Sequence, residues 1–232
     1  MLWLRDDDGM RALIIYVLGV TMVASALGVD RADLENRLRK LTLKFEIMQS
    51  KLDKRIPPQQ VRNAQGIILL DRTKAGFLFA YQGGSGAVMV KDTKSGQWSP
   101  PAFLKANEAS LGFQIGGQQS FIVVLLMNTN AIQTLMQGSF KFGGEASGTA
   151  GNNSSAAEGT ISSTEPLMLV YSDREGLYGG AALKGDALTP DTEADIAYYG
   201  QYLTMKESLF DQKVKPSPAA TELTTKIEQF SK

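Results

Sequence analysis

Between Gly66 and Leu183 the chain consists of short apolar runs punctuated by glycine, and this texture restricts its fold more than any other feature. The runs are Ile67 to Leu70, Gly76 to Tyr81, Ala87 to Val90, Leu111 to Gln118, Phe121 to Met127, Phe140 to Ala146, Pro166 to Tyr171 and Leu177 to Leu183. Segments this short, bounded by turn residues, suit β-strands joined by hairpins. Glycine inside a strand is costly unless backbones approach closely or the strand bends. Gly112, Gly116, Gly143, Gly179 and Gly180 therefore point to tight curvature and a small closed or nearly closed antiparallel barrel. One helix is expected to interrupt the strands at Ala131 to Gln137, capped by Asn130 and ended by Gly138. Gly83-Gly84-Ser85-Gly86 has the look of a phosphate-cradling loop, but it lacks the lysine and the strand-to-helix context of a P-loop. It lies between two strand-like runs, so a hairpin turn is expected there.

Helices are expected on either side. From Asp30 to Arg55, Leu34, Leu38, Leu41, Phe45, Met48 and Leu52 recur at spacings of four and three, the stripe of one amphipathic helix. Pro57 and Pro58 end it, and Gln59 to Asn63 can add one turn. Near the other end, Thr204 and Glu207 have capping-box spacing, and Leu223, Ile227 and Phe230 form a last apolar face. The fold class expected is α+β: a glycine-rich antiparallel β-barrel-like core flanked by a long N-terminal amphipathic helix and short C-terminal helices.

At 232 residues and 43% hydrophobic, the chain can bury one sizeable core. Residues 1–26 are expected to be a signal peptide, with 30–231 the folded domain. Arg11 supplies a positive start, Ala12 to Val23 an apolar run and Ala24-Ser25-Ala26 a cleavage pattern, although Asp6, Asp7 and Asp8 suit a start at Met10 better than at Met1. An uncleaved anchor is the alternative, with an apolar stretch shorter than the ~20 residues of a spanning helix. The expected location is exported and periplasmic. Cysteine is absent, so the chain has no disulfide and no acylated cysteine of the lipoprotein kind.

Histidine is absent too. Together these absences exclude, within this chain, a histidine-activated serine, a cysteine nucleophile and a His-rich zinc site. Asp191, Glu193 and Asp195 could gather oxygen ligands for calcium, but they follow Pro190 where a helix is expected to start, and acidic residues favour that end of the dipole. Trp98, Phe103, Tyr171, Tyr198 and Tyr199 could stack bases or sugars, yet core packing is the more ordinary use of such rings. Neither an enzyme, a cofactor nor a nucleic-acid partner is expected.

Gly96-Gln97-Trp98-Ser99-Pro100-Pro101-Ala102-Phe103-Leu104, then Ser110-Leu111-Gly112-Phe113-Gln114-Ile115-Gly116 and Val123-Val124-Leu125-Leu126-Met127-Asn128, resembles the central motif of the SYLF domain family. Ile56-Pro57, Ala64-Gln65-Gly66-Ile67 and Lys74-Ala75-Gly76-Phe77 precede it in order, and Tyr171-Ser172, Gly176-Leu177 and Tyr198-Tyr199-Gly200 follow. The resemblance covers roughly Arg31 to Phe230 and departs at Ala150-Gly151-Asn152-Asn153. It implies a non-catalytic lipid-binding module, related to eukaryotic proteins associated with actin and phosphoinositides.

The charge is unevenly spread. Val29 to Lys141 holds fifteen Lys or Arg against eight Asp or Glu, and Phe142 to Lys232 holds seven against thirteen. On the first helix Arg37, Lys40, Lys44, Lys51 and Arg55 fall at spacings of three, four, seven and four. The apolar stripe beside them can dock on the sheet or lie in a bilayer surface. The resemblance implies the second use, with Arg37, Lys40, Lys44, Lys51, Lys54 and Arg55 as lipid-binding candidates and Lys74 and Lys141 as further ones. The implied partner is an anionic phospholipid or membrane surface. A protein partner is the alternative, with the acidic stretch Asp186 to Asp195 as its surface.

Overall fold

The structure is a computed structural model that describes residues 28–75, 81–106, 120–136, 140–142, 168–173, 176–178, 185–211 and 213–232. The expected signal segment, the strand expected at Leu111 to Gln118 and the glycines on which curvature was argued lie outside them. Helix α1 (Arg31–Ser50) and the short α2 (Pro58–Asn63) lead into β1 (Gly66–Ala75), β2 (Tyr81–Val90), β3 (Ala102–Ala106) and β4 (Ser120–Leu126). Helix α3 (Thr129–Met136) precedes β5 (Phe140–Phe142), β6 (Met168–Ser172), β7 (Gly176–Tyr178) and β8 (Gly185–Pro190). Helices α4 (Thr192–Tyr199), α5 (Met205–Leu209) and α6 (Pro218–Gln229) close the chain.

The eight strands form one antiparallel sheet in the order β5-β8-β3-β2-β1-β4-β6-β7. This is the α+β, helix-flanked architecture expected, but among the described residues β5 and β7 do not pair, so the sheet is open there. Ile67 to Leu70 of β1 and Phe121 to Leu126 of β4 read as apolar runs because both faces of the sheet are covered there. Ile67, Leu69, Met89, Phe103, Val123 and Leu125 face α1, α4 and α6, whereas Ile68, Leu70, Val88, Leu104, Val124 and Leu126 pack with α3 and Leu209. Side chains alternate along a strand, so odd positions of β1 belong to the α1 side.

Helix α1 starts at a reciprocal cap between Asp30 and Asp33 and buries Leu34, Leu38, Leu41, Phe45 and Met48 completely. It ends at Ser50, earlier than the stripe suggested, and Leu52 is 81% exposed. The buried Gln49 side chain explains this: it accepts from the Ile56 amide at 2.7 Å and donates to the Ile56 carbonyl at 3.4 Å. Ile56 is thereby drawn into the next core position, where it is fully buried. Helix α6 lies along α1, with Phe45 and Phe230 edge to face at 5.7 Å and Lys226 paired to Glu46 at 2.6 Å.

Three local expectations are corrected. Gly83–Gly86 is not a turn but the middle of β2, where Gly86 pairs with Leu70. A Cβ on Gly86 would sit 2.2 Å from the Leu69 carbonyl oxygen, so the residue is needed for close approach of the two strands. Asn128, two residues before Asn130, caps α3 by accepting from the Ala131 amide at 2.9 Å. Strands β3 and β8, absent from the expected set, pair with each other from Leu104 opposite Pro190 to Ala106 opposite Leu188.

The segment from Trp98 to Pro101 turns the chain from β2 into β3. Asp92 accepts from the Lys94 and Ser95 amides at 2.6 and 3.0 Å, and Gly96 takes a φ of +71°. The buried Ser99 hydroxyl then accepts from the Val90 amide at 3.0 Å and donates to the Pro100 carbonyl at 2.9 Å. Gly86→Val is expected to lower stability by about 3 kcal/mol, read as a lower urea midpoint with an unchanged m-value; an unchanged midpoint would contradict the close-approach reading.

Candidate functional site

Asp71 is the third odd-numbered residue of β1 after Ile67 and Leu69, and it lies on the α1 side of the sheet, 5% exposed. Lys40 reaches it at 2.7 Å, and Lys44, one helical turn on, donates to its other carboxylate oxygen. A carboxylate this buried is destabilising unless paired, and two ammonium groups from one helix satisfy it. Arg37 is held in the same way from another direction. Its guanidinium lies 3.6 Å from the Asp191 carboxylate and 5.6 Å from the centre of the Phe103 ring.

Asp191 is also the N-cap of α4, accepting from the Ala194 amide at 3.3 Å, and takes a second cation, Lys105, at 3.2 Å. The hydrogen bond to Asp191 raises the Lys105 pKa above its ordinary value. The helix-start reading of Asp191, Glu193 and Asp195 therefore holds. Asp195 points inward and accepts from the Phe103 amide at 2.9 Å. Burial pushes its carboxyl up to about 7, with the hydrogen bond opposing and the neighbouring Asp191 adding to the rise. The rings singled out in the sequence pack here as core: Phe103 meets Tyr198 at 5.0 Å, and Tyr198 meets Tyr199 at 4.8 Å, both edge to face. Burial raises the Tyr199 hydroxyl strongly, and the group donates to the Pro101 carbonyl.

The eight basic candidates thus divide. Arg37, Lys40 and Lys44 pair with Asp191 and Asp71 and so fasten α1 to the sheet and to α4, with the Lys40 side chain still 52% exposed. Lys54 pairs with its neighbour Asp53 at 3.5 Å. Lys51 and Arg55 are exposed and, among the described residues, make no side-chain hydrogen bond or ion pair. Lys74 and Lys141 lie on β1 and β5, opposite Gln82 and Asp186, and their side chains are outside the described set. In the acidic stretch Asp186 to Asp195, Asp191 and Asp195 are buried and Glu193, with its side chain 91% exposed, remains outside, while the Asp186 side chain lies outside the described set.

What the residue pattern did not reveal is an outward apolar row on α1. Leu43 and Ile47, one turn apart, are 56% and 47% exposed, and Leu52 projects just beyond the helix end. Their spacing of four was the available signal, masked by the stronger buried stripe. Lys51 follows Ile47 by one further turn, so this row carries both grease and charge. Among the described residues no helix is long and apolar enough to cross a membrane.

The described strands form one antiparallel sheet with a long helix fastened to one face. The chain belongs to the Ysc84, or SYLF, family: residues 107–230 match the family described as Las17-binding protein actin regulator. It is similar to Protein YSC84 of Saccharomyces cerevisiae, 31% identical over 180 residues, covering 76% of this chain and 38% of that protein. LAS seventeen-binding protein 3 of the same yeast is 29% identical over 180 residues, covering 76% of this chain and 39% of the relative. SH3 domain-containing YSC84-like protein 1 of Homo sapiens is 29% identical over 169 residues, covering 72% and 49%. The chain therefore spans about two fifths to one half of these relatives' lengths.

Asp71→Ala is expected to cost about 3 kcal/mol of unfolding free energy, since it leaves the largely buried Lys44 ammonium without its carboxylate; Lys51→Ala and Arg55→Ala should each stay within about 0.5 kcal/mol. Equal effects in a denaturant titration would refute this division of labour. For Asp195 the folded pKa is above the unfolded one, so the folded chain holds the extra proton between about pH 4 and 7 and stability falls as pH rises through that window. The slope is expected to approach 1.4 kcal/mol per pH unit. Asp195→Asn, which keeps an acceptor for the Phe103 amide, should flatten it, and an unchanged slope would disprove the assignment.

Proposed function

We propose that this domain is a non-catalytic module that docks on anionic phospholipid surfaces through the outer row and distal end of α1. The carrying observation is the exposure of Leu43, Ile47 and Leu52 beside Lys51 and Arg55, on a helix whose opposite side is pinned to the sheet. Magnitudes decide how such a surface works. Lys51, Lys54 and Arg55 contribute about 1 kcal/mol each at an anionic membrane, well short of the roughly 8 kcal/mol of micromolar binding. Each large apolar side chain adds about 1.5 to 3 kcal/mol when fully buried, so the leucines and isoleucine supply most of the affinity and the cations supply the preference for negative charge. The absence of histidine and cysteine supports a binding role over catalysis.

The second reading is a protein-interaction domain, favoured by the family's description as a Las17-binding actin regulator. A protein partner could use the same apolar row without needing the cations.

Sedimentation with vesicles containing phosphatidylglycerol or only phosphatidylcholine separates the two. Ile47→Glu with Leu52→Glu is expected to reduce binding to the anionic vesicles at least tenfold, and Lys51→Glu with Arg55→Glu to abolish the preference over neutral ones. No preference in the unaltered protein would refute lipid docking, and a protein pull-down that survives the charge reversal would favour the second reading.

A further inference from the structure

Helix α1 gives way to a turn whose shape is fixed at both ends. Met48 and Ile56 are fully buried on either side of it. The amides of Lys54 and Arg55 both donate to the Lys51 carbonyl, at 3.1 and 2.8 Å, which closes residues 51–55 on themselves. Gln49 then ties the far end of the turn to the helix, because its side chain holds both the amide and the carbonyl of Ile56. Pro57 and Pro58 follow at once and stiffen the exit. Leu52 stands at the apex, 81% exposed, with the exposed Lys51 and Arg55 on its two sides.

A single exposed leucine is ordinary at a protein surface. Here, however, the buried Gln49 amide keeps the turn from folding back over the core, and two cations without an ion pair among the described residues flank its tip. The flanking charge favours an anionic partner, and the shape favours a fluid one. A protein must supply a pocket for a lone projecting side chain, whereas a bilayer interface closes around it. The backbone suits that setting too. At the helix end the Ile47 carbonyl accepts from the Ser50 hydroxyl at 2.7 Å, the Met48 carbonyl from the Lys51 amide at 3.2 Å and the Lys51 carbonyl from two amides, so these acceptors keep their partners on leaving water.

We propose that the turn 51–55 enters the interface of an anionic bilayer as a preformed wedge, Leu52 among the first acyl segments and Lys51 and Arg55 at the phosphates, with Gln49 as the positioning residue. The inference rests on the lipid-docking reading above and deepens it, since it names where the domain penetrates and what shapes that point. Because the turn is ordered before contact, binding forfeits little conformational freedom there.

The chain has no cysteine, so Leu52→Cys carries a single nitrobenzoxadiazole label in the full protein, and Tyr202→Cys, at a position 66% exposed between α4 and α5, carries the comparison label. With vesicles of phosphatidylglycerol the label at 52 is expected to brighten and shift to shorter wavelength, and the label at 202 to stay unchanged. In the free protein the Arg55 and Ile56 amides should already be protected from hydrogen exchange. Gln49→Met, which keeps the volume and removes both bonds, should weaken vesicle binding about tenfold, and Gln49→Glu, which keeps the acceptor for the Ile56 amide, should recover most of that loss. Far-UV circular dichroism under the assay conditions checks that each is folded; if Gln49→Met is not, the Ile56 exchange decides the same point. No binding of the unaltered chain to these vesicles would overturn the docking reading and the wedge together. Binding in which the label at 52 responds no more than that at 202, protection of Ile56 that arises only with vesicles, or equal binding by the unaltered chain and folded Gln49→Met would overturn the wedge alone.

Discussion

Asp71 is the residue on which the arrangement of this domain turns. It interrupts an apolar strand on the face that α1 covers, and it is tolerated there because Lys40 and Lys44 come down to it from successive turns of the helix. Hydrophobic contact alone would hold α1 to the sheet without fixing its rotation well, since Leu34, Leu38, Leu41, Phe45 and Met48 offer a broad greasy face. Directional pairing to a buried carboxylate selects one rotation, and Arg37 reaching Asp191 selects it again some distance away. Once that rotation is set, Leu43 and Ile47 must face outward.

The basic helix is consequently two surfaces. Its inner cations are structural, bound to acids from β1 and from the start of α4. At its distal end Lys51 and Arg55 have no ion pair among the described residues and lie next to the exposed Leu52. A stretch rich in basic residues thus serves first to build the domain, and only its distal end keeps cations free for the docking proposed above. Asp191 shows the same economy, since it caps α4 and pairs with both Arg37 and Lys105.

Much of this was legible in the residue order wherever the cause is local. The α1 stripe, the helix start at Asp191, the Thr204 and Glu207 capping box and the apolar runs of β1, β4 and β6 all act within a few residues, and all were found. Strand β3 was hidden because Ala102–Ala106 is five residues long and follows two prolines, and β8 because Gly185–Pro190 mixes polar and apolar residues without alternation. Gly83–Gly86 carries the signature of a turn, yet its glycines serve a close strand approach that only the pairing with β1 reveals. The pairing of the helix cations was hidden for the same reason. Nothing near Arg37, Lys40 or Lys44 announces that their partners are Asp191 and Asp71, so charge spacing alone could not separate paired cations from free ones.

The orientation of α1 depends most on its lysines gripping Asp71. A double-mutant cycle between Lys44→Met and Asp71→Asn, read by urea unfolding, measures that grip directly. The account requires a coupling of at least about 1 kcal/mol between the two sites. A coupling indistinguishable from zero would mean that the helix is held by apolar contact alone, and that its outward row is not fixed by this pair.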